Sequence, residues 1–115
     1  MNRTNEIMIS GQLAERDALR HTPAGVALVN FRIVHESVQT EAGTERQVYA
    51  DVACVAAEHE ARLVAAAPLG AAVRLSGFLA GKGAAQRTKG EPPARAGRQL
   101  VLHVTRIEFE EAKRN

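Results

Sequence analysis

The longest run of β-branched and apolar residues constrains the fold of this chain most strongly. It reads VALVNFRIVHESV, residues 26–38, and within it Val29, Phe31 and Ile33 alternate with Asn30 and Arg32. A period of two is typical of a strand with one buried face and one solvent face. The run therefore predicts a long strand in a sheet whose inner face is apolar and whose outer face is polar.

Four further segments carry strand-like patterns, and one carries a helical pattern. Together with the first run, they predict five strands, over residues 6–13, 26–38, 47–55, 71–81 and 98–111. The Ala-rich segment 56–70 has Glu58 and Glu60 in its first turn and ends at Pro68 and Gly70, which predicts one short helix. The polar segments 15–25 and 39–46 are predicted to be loops, the second joining a hairpin.

The resulting order, three strands, a helix and two strands, is that of the oligonucleotide-binding (OB) fold. We therefore predict an all-β, five-stranded Greek-key barrel with one short helix between strands three and four. Gly11 and Gly77 interrupt the first and fourth strands, where a bulge or a sharp bend would help the barrel to close. A five-stranded α+β sandwich has the same order and remains the alternative. A length of 115 residues suits a single domain, placed at 1–109, with a charged tail at 110–115.

A long basic loop, residues 81–98, separates the last two predicted strands and is predicted to be flexible. It has five cations and one acid, so it carries +4 while the rest of the chain carries −2. Its cations are Lys82, Arg87, Lys89, Arg95 and Arg98. Such a concentration indicates a polyanionic partner, a nucleic acid or a membrane surface, although charge runs are often simply solvated. Because OB barrels commonly bind nucleic acid at this loop, we favour phosphate binding.

The outer face of the barrel is a weaker binding candidate. Of the four aromatic residues, Phe31 and Phe109 are expected in the core, the face of Phe78 is undetermined, and Tyr49 points outward as the best base-stacking candidate. Further candidate cations lie in the first loop and on strands two and three: Arg16, Arg20, Arg32 and Arg46. Acids in the same regions would repel phosphate: Glu15, Asp17, Glu36, Glu45 and Asp51.

Catalytic and metal-binding patterns are lacking. Cys54 is the only cysteine and the four histidines have no ligand spacing, so no metal site is expected. Neither a phosphate-binding loop nor a nucleophile elbow is complete, and we expect no enzymatic activity and no cofactor. No apolar run has the length of a secretory signal or a membrane span, which predicts a cytoplasmic protein without a membrane partner.

Several segments carry a resemblance to a known family. TNEIMISGQL, FRIVHESVQTEAGTERQ, LGAAVRLSGFLA and LVLHVTRIEF resemble the primosomal replication protein N (PriB) family, relatives of bacterial single-stranded DNA-binding protein. The conjunction H-x-S-V-Q-x-E-A-G is the most specific part. The resemblance implies a homodimeric OB barrel that binds single-stranded DNA without sequence specificity at bacterial replication forks. It also implies contacts with the restart helicase PriA and with DnaT or an equivalent partner.

This chain departs from the family pattern on the barrel face. Tyr49 stands where the family has a stacking tryptophan, Thr44 replaces an aromatic residue, and Glu15 and Glu36 replace basic ones. Arg20 keeps its charge, and Lys82 begins the basic loop as in the family. We therefore expect DNA to depend mainly on the loop. Two functions remain open: a DNA-binding accessory protein of the restart primosome, and an interaction module whose barrel face binds protein.

Overall fold

The computed structural model describes residues 2–82 and 99–110. These residues form six strands and one helix, in the order β1 (Ile7–Arg16), β2 (Arg20–His21), β3 (Ala27–Glu41), β4 (Thr44–Ala57), α1 (Glu58–Ala66), β5 (Ala72–Gly81) and β6 (Leu100–Phe109). The five predicted strands correspond to β1, β3, β4, β5 and β6. The two-residue β2, which pairs only with β3, was not predicted.

The five long strands close into a barrel. Neighbours follow the order β1-β5-β6-β4-β3, and β3 returns to pair with β1. All of these pairs are antiparallel except β4 with β6. Strand β1 belongs to both sides of the closure, because Ile7–Gln12 pair with β5 and Gln12–Arg16 pair with β3. This topology confirms the OB-type barrel and its helix, which here joins β4 to β5, and it rules out the sandwich alternative.

Two glycines allow neighbouring strands to approach closely. A Cβ atom at Gly77 would overlap the carbonyl oxygen of His103, and the ladder between β5 and β6 shifts register between Ser76 and Gly77. A Cβ atom at Gly11 would overlap the carbonyl oxygen of Val34. The irregularity in β1, however, falls between Leu13 and Glu15. Gly11 is therefore needed for close approach to β3, while the bulge of β1 lies further along the strand.

The barrel core includes the residues that alternation placed on the inner face of β3. Val29, Phe31 and Ile33 are buried, and they pack in one cluster with side chains such as Leu75 and Leu102 from β5 and β6. The helix contributes Ala61 and Val64 to the same cluster. Burial of this apolar surface is the main force that stabilises a small barrel. Alternation therefore predicted correctly which face of β3 turns inward.

Glu58 ties the start of the helix to the barrel. Its backbone has a φ of 54°, and its Oε1 accepts a hydrogen bond of 3.0 Å from the backbone N–H of Ala27. The Arg62 side chain donates to its other oxygen at 3.2 Å. The hydrogen bond from Ala27, followed by that from Arg62, holds the pKa of the Glu58 carboxyl below its ordinary value. A left-handed residue at this position costs energy, which these contacts help to offset.

The predicted hairpin loop at 39–46 is wrong. Strands β3 and β4 continue to Glu41 and Thr44, and the connection is a two-residue turn of Ala42 and Gly43. Both turn residues have positive φ, 51° and 78°, and this is the geometry that matches the twist of a hairpin. Alanine is uncommon at a turn position with positive φ, so the sequence did not indicate a tight turn here. The polar composition of the segment indicated a longer loop instead.

Phe109 is also placed differently from its prediction. It was expected in the core but is 45% exposed, because it is the last residue of β6 and pairs with Val73 at the rim of the barrel. It lies on the inner face of β6, as alternation predicts, but no described residue covers its exposed side. A residue on the inner face of a strand is therefore buried only where the barrel continues beyond it.

His35 explains part of the most specific sequence motif. Its Nδ1 donates to the carbonyl oxygen of Ser10 at 2.7 Å, and its Nε2 lies 2.7 Å from the hydroxyl of Ser37. His35 therefore joins β3 to β1, and its contact with Ser37 links two side chains of β3. Simple strand propensity would not require this pair of residues.

Candidate nucleic-acid interface

One continuous outer face crosses strands β3, β4 and β6. On β4 the residues Asp51, Ala53 and Val55 alternate with the inward residue Cys54. Arg32 of β3 lies opposite Ala53, and His103 of β6 lies opposite Val55. Side chains of neighbouring strands that share a face lie about 4.5–5.5 Å apart at their Cβ atoms. This face therefore forms one connected surface on the outside of the barrel.

A groove of about 190 Å³ crosses this face and is lined by three cations, Arg16, Arg32 and Lys82. We call it the cationic groove. Ala53 and Val101 supply apolar lining, while Glu15 and Asp17 contribute two acids. Lys82 follows the last residue of β5, and its backbone N–H donates to the carbonyl oxygen of Gln99 at 2.6 Å. The groove thus lies where the basic loop leaves the barrel.

Arg16 has an unused hydrogen-bonding group in the groove. Its Nη1 atom is buried and finds no partner within the described residues. A buried guanidinium N–H without an acceptor is unfavourable, so a rotation of the side chain that brought this group out to a phosphate oxygen would gain a hydrogen bond. The sequence ranked Arg16 and Arg32 among the weaker candidates, and the barrel places both beside the stronger candidate Lys82.

Two predicted cations of the barrel face are already paired with carboxylates. Arg32 lies 2.7 Å from Asp51, and Arg46 lies 2.8 Å from Glu41. Both pairs are about half-exposed or more, so each adds little to stability. A phosphate would nevertheless have to compete with the carboxylate for each guanidinium group. Neither arginine is therefore as available to DNA as its charge alone suggests.

Three other candidate cations have no such pairing among the described residues. Arg20 donates to the side-chain oxygen of Asn30 at 2.7 Å. Within residues 2–82 and 99–110, neither Arg16, Arg20 nor Lys82 forms an ion pair with an acid. The barrel thus brings Arg16, Arg32 and Lys82 together, and it leaves Arg46 near the hairpin turn.

Tyr49 lies outside the cationic groove, on a ribbon formed by β3 and β4. We define the ribbon as residues 35–50, which pair only with one another and extend from the barrel. The Tyr49 side chain is 65% exposed and pairs across the ribbon with Glu36. Its ring is therefore accessible for stacking, but a carboxylate accompanies it. The position of Tyr49 on an outward face agrees with the alternation of β4.

Four of the predicted site residues lie outside the described part of the chain. These are Arg87, Lys89, Arg95 and Arg98. Their role in binding stays a prediction, as does the flexibility of the loop at 81–98. Lys82 is the one loop cation that falls within the described ranges, and its exposed side chain lines the groove.

Sequence reasoning missed an aromatic pair beside the groove. Phe78 and His103 stack with ring centroids 5.1 Å apart and planes 6° from parallel. The two residues are cross-strand partners on β5 and β6, and their side chains alternate with the inward residues Leu79 and Leu102. Alternation of His103 with Leu102 and Val104 could have indicated its outward face, but its pairing with Phe78 requires the register of the sheet.

Cys54 lies beneath the groove and offers no reactive group to it. The residue is 1% exposed, and burial raises the pKa of its thiol to about 12. Such a thiol stays protonated and unreactive at neutral pH. Elsewhere in the described ranges, no cluster of three His, Cys, Asp or Glu residues could hold a metal ion. The described helix is too short to cross a membrane.

The fold and this interface agree with what the chain is similar to. A family model described as another single-strand binding protein family matches residues 5–106. The replication restart protein PriB of Bordetella pertussis is 41% identical over 76 residues, which cover 66% of this chain and 71% of that protein. PriB of Nitrosomonas europaea is 33% identical over 105 residues, or 90% of this chain and 87% of that one.

A solved structure gives the same result for the whole barrel. PriB from Ralstonia solanacearum superposes with a TM-score of 0.76 at 28% identity, and the match covers 94% of this chain and all of that one. The chain is therefore a single-strand-binding-type OB-fold protein. Within that class it belongs to the replication restart protein PriB family, which confirms the resemblance drawn from the sequence.

Proposed function

We propose that this protein is a single-stranded DNA-binding accessory protein of the replication-restart primosome. It binds DNA without sequence specificity and bridges the restart helicase PriA to downstream loading factors, DnaT or an equivalent. It acts as a homodimer in the bacterial cytoplasm, at stalled replication forks. The observation that carries the DNA-binding part is the cationic groove, which lies on the outer face of an OB barrel at the origin of the basic loop.

The chemistry of the groove supports binding through the backbone of DNA. Guanidinium and ammonium groups neutralise phosphates and release counterions, a contribution that does not depend on sequence. The amide in the groove lining, Asn30, already accepts a hydrogen bond from Arg20 through its side-chain oxygen, and Arg32 is already paired with Asp51, so neither is free to read a base edge. Loop cations Arg87, Lys89, Arg95 and Arg98 would extend the same phosphate contacts. Non-specific binding is therefore the mode that this surface favours.

A salt series tests DNA binding directly. Fluorescence anisotropy of a labelled oligothymidylate should give a logarithm of affinity that falls linearly with the logarithm of salt concentration. Three to five neutralised phosphates predict a slope of about −2 to −3.5, at −0.7 for each contact with a single strand. Absence of binding at low salt, or an affinity that does not change with salt, would contradict the proposal.

The chain contains its own probe for stacking. Tyr49 is the only tyrosine and there is no tryptophan, so the intrinsic fluorescence of the protein comes from this one residue. Stacking of a base on Tyr49 should quench that emission during titration with oligonucleotide. The titration also separates two binding modes, because anisotropy would rise without quenching if DNA contacted the groove but not the ribbon.

A second function is favoured by a different observation. The pairs Arg32–Asp51 and Arg46–Glu41 reduce the free positive charge of the barrel face. Such a mixed-charge face suits a protein partner as well as a polyanion, so the protein could act mainly as an interaction module of the replication machinery. Mass measurement of the protein alone, with oligonucleotide and with PriA distinguishes the two. A dimer that binds the helicase but not DNA would establish the interaction module.

A further inference from the structure

We infer that Phe78 and His103 form a base-stacking platform for single-stranded nucleic acid, placed next to the cationic groove. The inference rests on the proposed function, since it names a further part of the same binding surface. The platform would receive a base whose phosphate is held by Lys82 or by the neighbouring arginines. It would thus supply an exposed aromatic surface beside a groove whose own aromatic residue, Phe31, is buried.

The position of the pair follows from the strand register. Val101 lines the groove, and His103 lies two residues further on the same face of β6. Two residues along a strand span about 6.6 Å, roughly twice the 3.4 Å rise of stacked nucleotides. Phe78 lies opposite His103, and Ala80 lies opposite Val101. A strand leaving the groove could therefore place its next base, unstacked from its neighbour, on this pair.

The form of the pair suits a base. Its two rings are nearly parallel, and each is held in place by the other, so little side-chain freedom remains to be lost on binding. Phe78 is 40% exposed although its side chain has no polar atom. The small residues Ala53 and Ala80 lie on the same outer face, where they leave room beside the rings. An exposed aromatic pair beside cations is the combination that binds single strands without reading their sequence.

Substitution of Phe78 tests the platform. Phe78→Leu keeps an apolar side chain but removes the flat ring, and we expect its affinity for oligothymidylate to fall about tenfold, in the range of one lost base stack. Phe78→Tyr keeps the ring and should retain the affinity of the unmodified protein. Phe109→Leu is the matched control, because Phe109 has similar exposure but lies at the rim of the barrel, at the far end of β6 from the groove. It should leave the affinity unchanged.

Two further measurements assign the loss to stacking. The salt slope of Phe78→Leu should equal that of the unmodified protein, since no phosphate contact is removed. An oligonucleotide of abasic residues should bind Phe78→Leu and the unmodified protein equally well. His103→Ala should reproduce the loss with natural oligonucleotide, and thermal unfolding of each variant shows that the barrel is folded.

The outcomes separate the platform from the proposed function. A tenfold loss in Phe78→Leu that disappears on the abasic strand supports the platform. Equal affinities for Phe78→Leu, His103→Ala and the unmodified protein would overturn it, while DNA binding itself would stand. If the unmodified protein did not bind oligothymidylate at low salt, both the platform and the proposed function would be wrong.

Discussion

The cationic groove and the β3–β4 ribbon carry cations in very different states. In the groove, Arg32 is paired with Asp51, but Arg16 and Lys82 form no ion pair among the described residues. On the ribbon, Arg46 is bound to Glu41 and the exposed Tyr49 ring faces Glu36 across the strands. The difference teaches that a count of positive charges does not measure the capacity to bind DNA. The capacity to bind DNA depends on whether each cation is already paired with a carboxylate.

Removal of the loop cations should have the largest effect on DNA binding. Replacement of Lys82, Arg87, Lys89 and Arg95 together by alanine removes up to four phosphate contacts. At a slope of −0.7 for each contact, affinity for oligothymidylate at 0.1 M salt should fall by roughly a few hundredfold, and the salt slope should become shallower by about 2.8. Anisotropy titrations across a salt series measure both quantities.

The control for this variant is a second one that removes charge elsewhere. Arg62→Ala and Arg74→Ala together remove two cations that are paired with Glu58 and Glu108, away from the groove. This double variant should lose little affinity. A similar loss in both variants would show that total charge, rather than the groove and loop, governs binding.

Loss of the ribbon's aromatic ring should have a smaller effect. Tyr49→Ala removes at most one base stack, so we expect about a tenfold loss of affinity without a change in salt slope. Tyr49→Trp should increase affinity instead, since a larger ring stacks better and tryptophan is the residue that the family resemblance leads us to expect there. A Tyr49→Ala loss as large as that of the loop variant would reverse the proposed order of the two regions.

Removal of the Arg32–Asp51 ion pair should make the groove bind DNA more strongly. Asp51→Asn removes the carboxylate that holds the guanidinium at 2.7 Å, and one additional phosphate contact predicts about fivefold higher affinity at 0.1 M salt. Glu45→Gln changes the net charge equally on the ribbon but frees no described ion pair, so it serves as control. If both variants gained affinity equally, general repulsion would explain the effect and not the Arg32–Asp51 pair.

The barrel could be predicted well from the sequence because the alternation of apolar and polar residues in each strand is a local pattern. The inner face formed by Val29, Phe31 and Ile33 requires only a local period of two, and the helix requires only a local change of composition. The hairpin turn at Ala42 and Gly43 was missed because its positive φ values depend on the pairing of two long strands. Phe109 was misplaced because burial at a strand end depends on where the barrel stops.

The site was less predictable than the fold, since it depends on partners far apart in the chain. Arg32 and Asp51 are 19 residues apart, and only the register of β3 with β4 shows that they pair. Likewise, His103 meets Phe78 because Gly77 and the bulge beside it set the register of β5 with β6. Composition indicated only that acids accompany the cations of the barrel face. It did not indicate which cations are paired.

Cys54 offers a test of whether the floor of the groove is rigid, and here the smallest effect is expected. With a thiol pKa of about 12, compared with an ordinary value of 9.0, the thiolate fraction at pH 8 is reduced roughly a thousandfold. A thiol reagent at pH 8 should therefore label the folded protein at a negligible rate and the urea-unfolded protein rapidly. Oligonucleotide should change neither rate, because Cys54 faces the core.

The raised pKa of the same thiol predicts how the free energy of unfolding changes at alkaline pH. The pKa is raised in the folded state, so the unfolded thiol ionises first and the free energy of unfolding should decrease as pH rises above 9. Cys54→Ala should lose this decrease, apart from contributions of other groups, while costing some packing at neutral pH. Urea titrations at pH 7 and pH 10 measure both. Rapid labelling of the folded protein at pH 8 would mean that the floor opens, and the groove could then not be compared with the ribbon as a fixed surface.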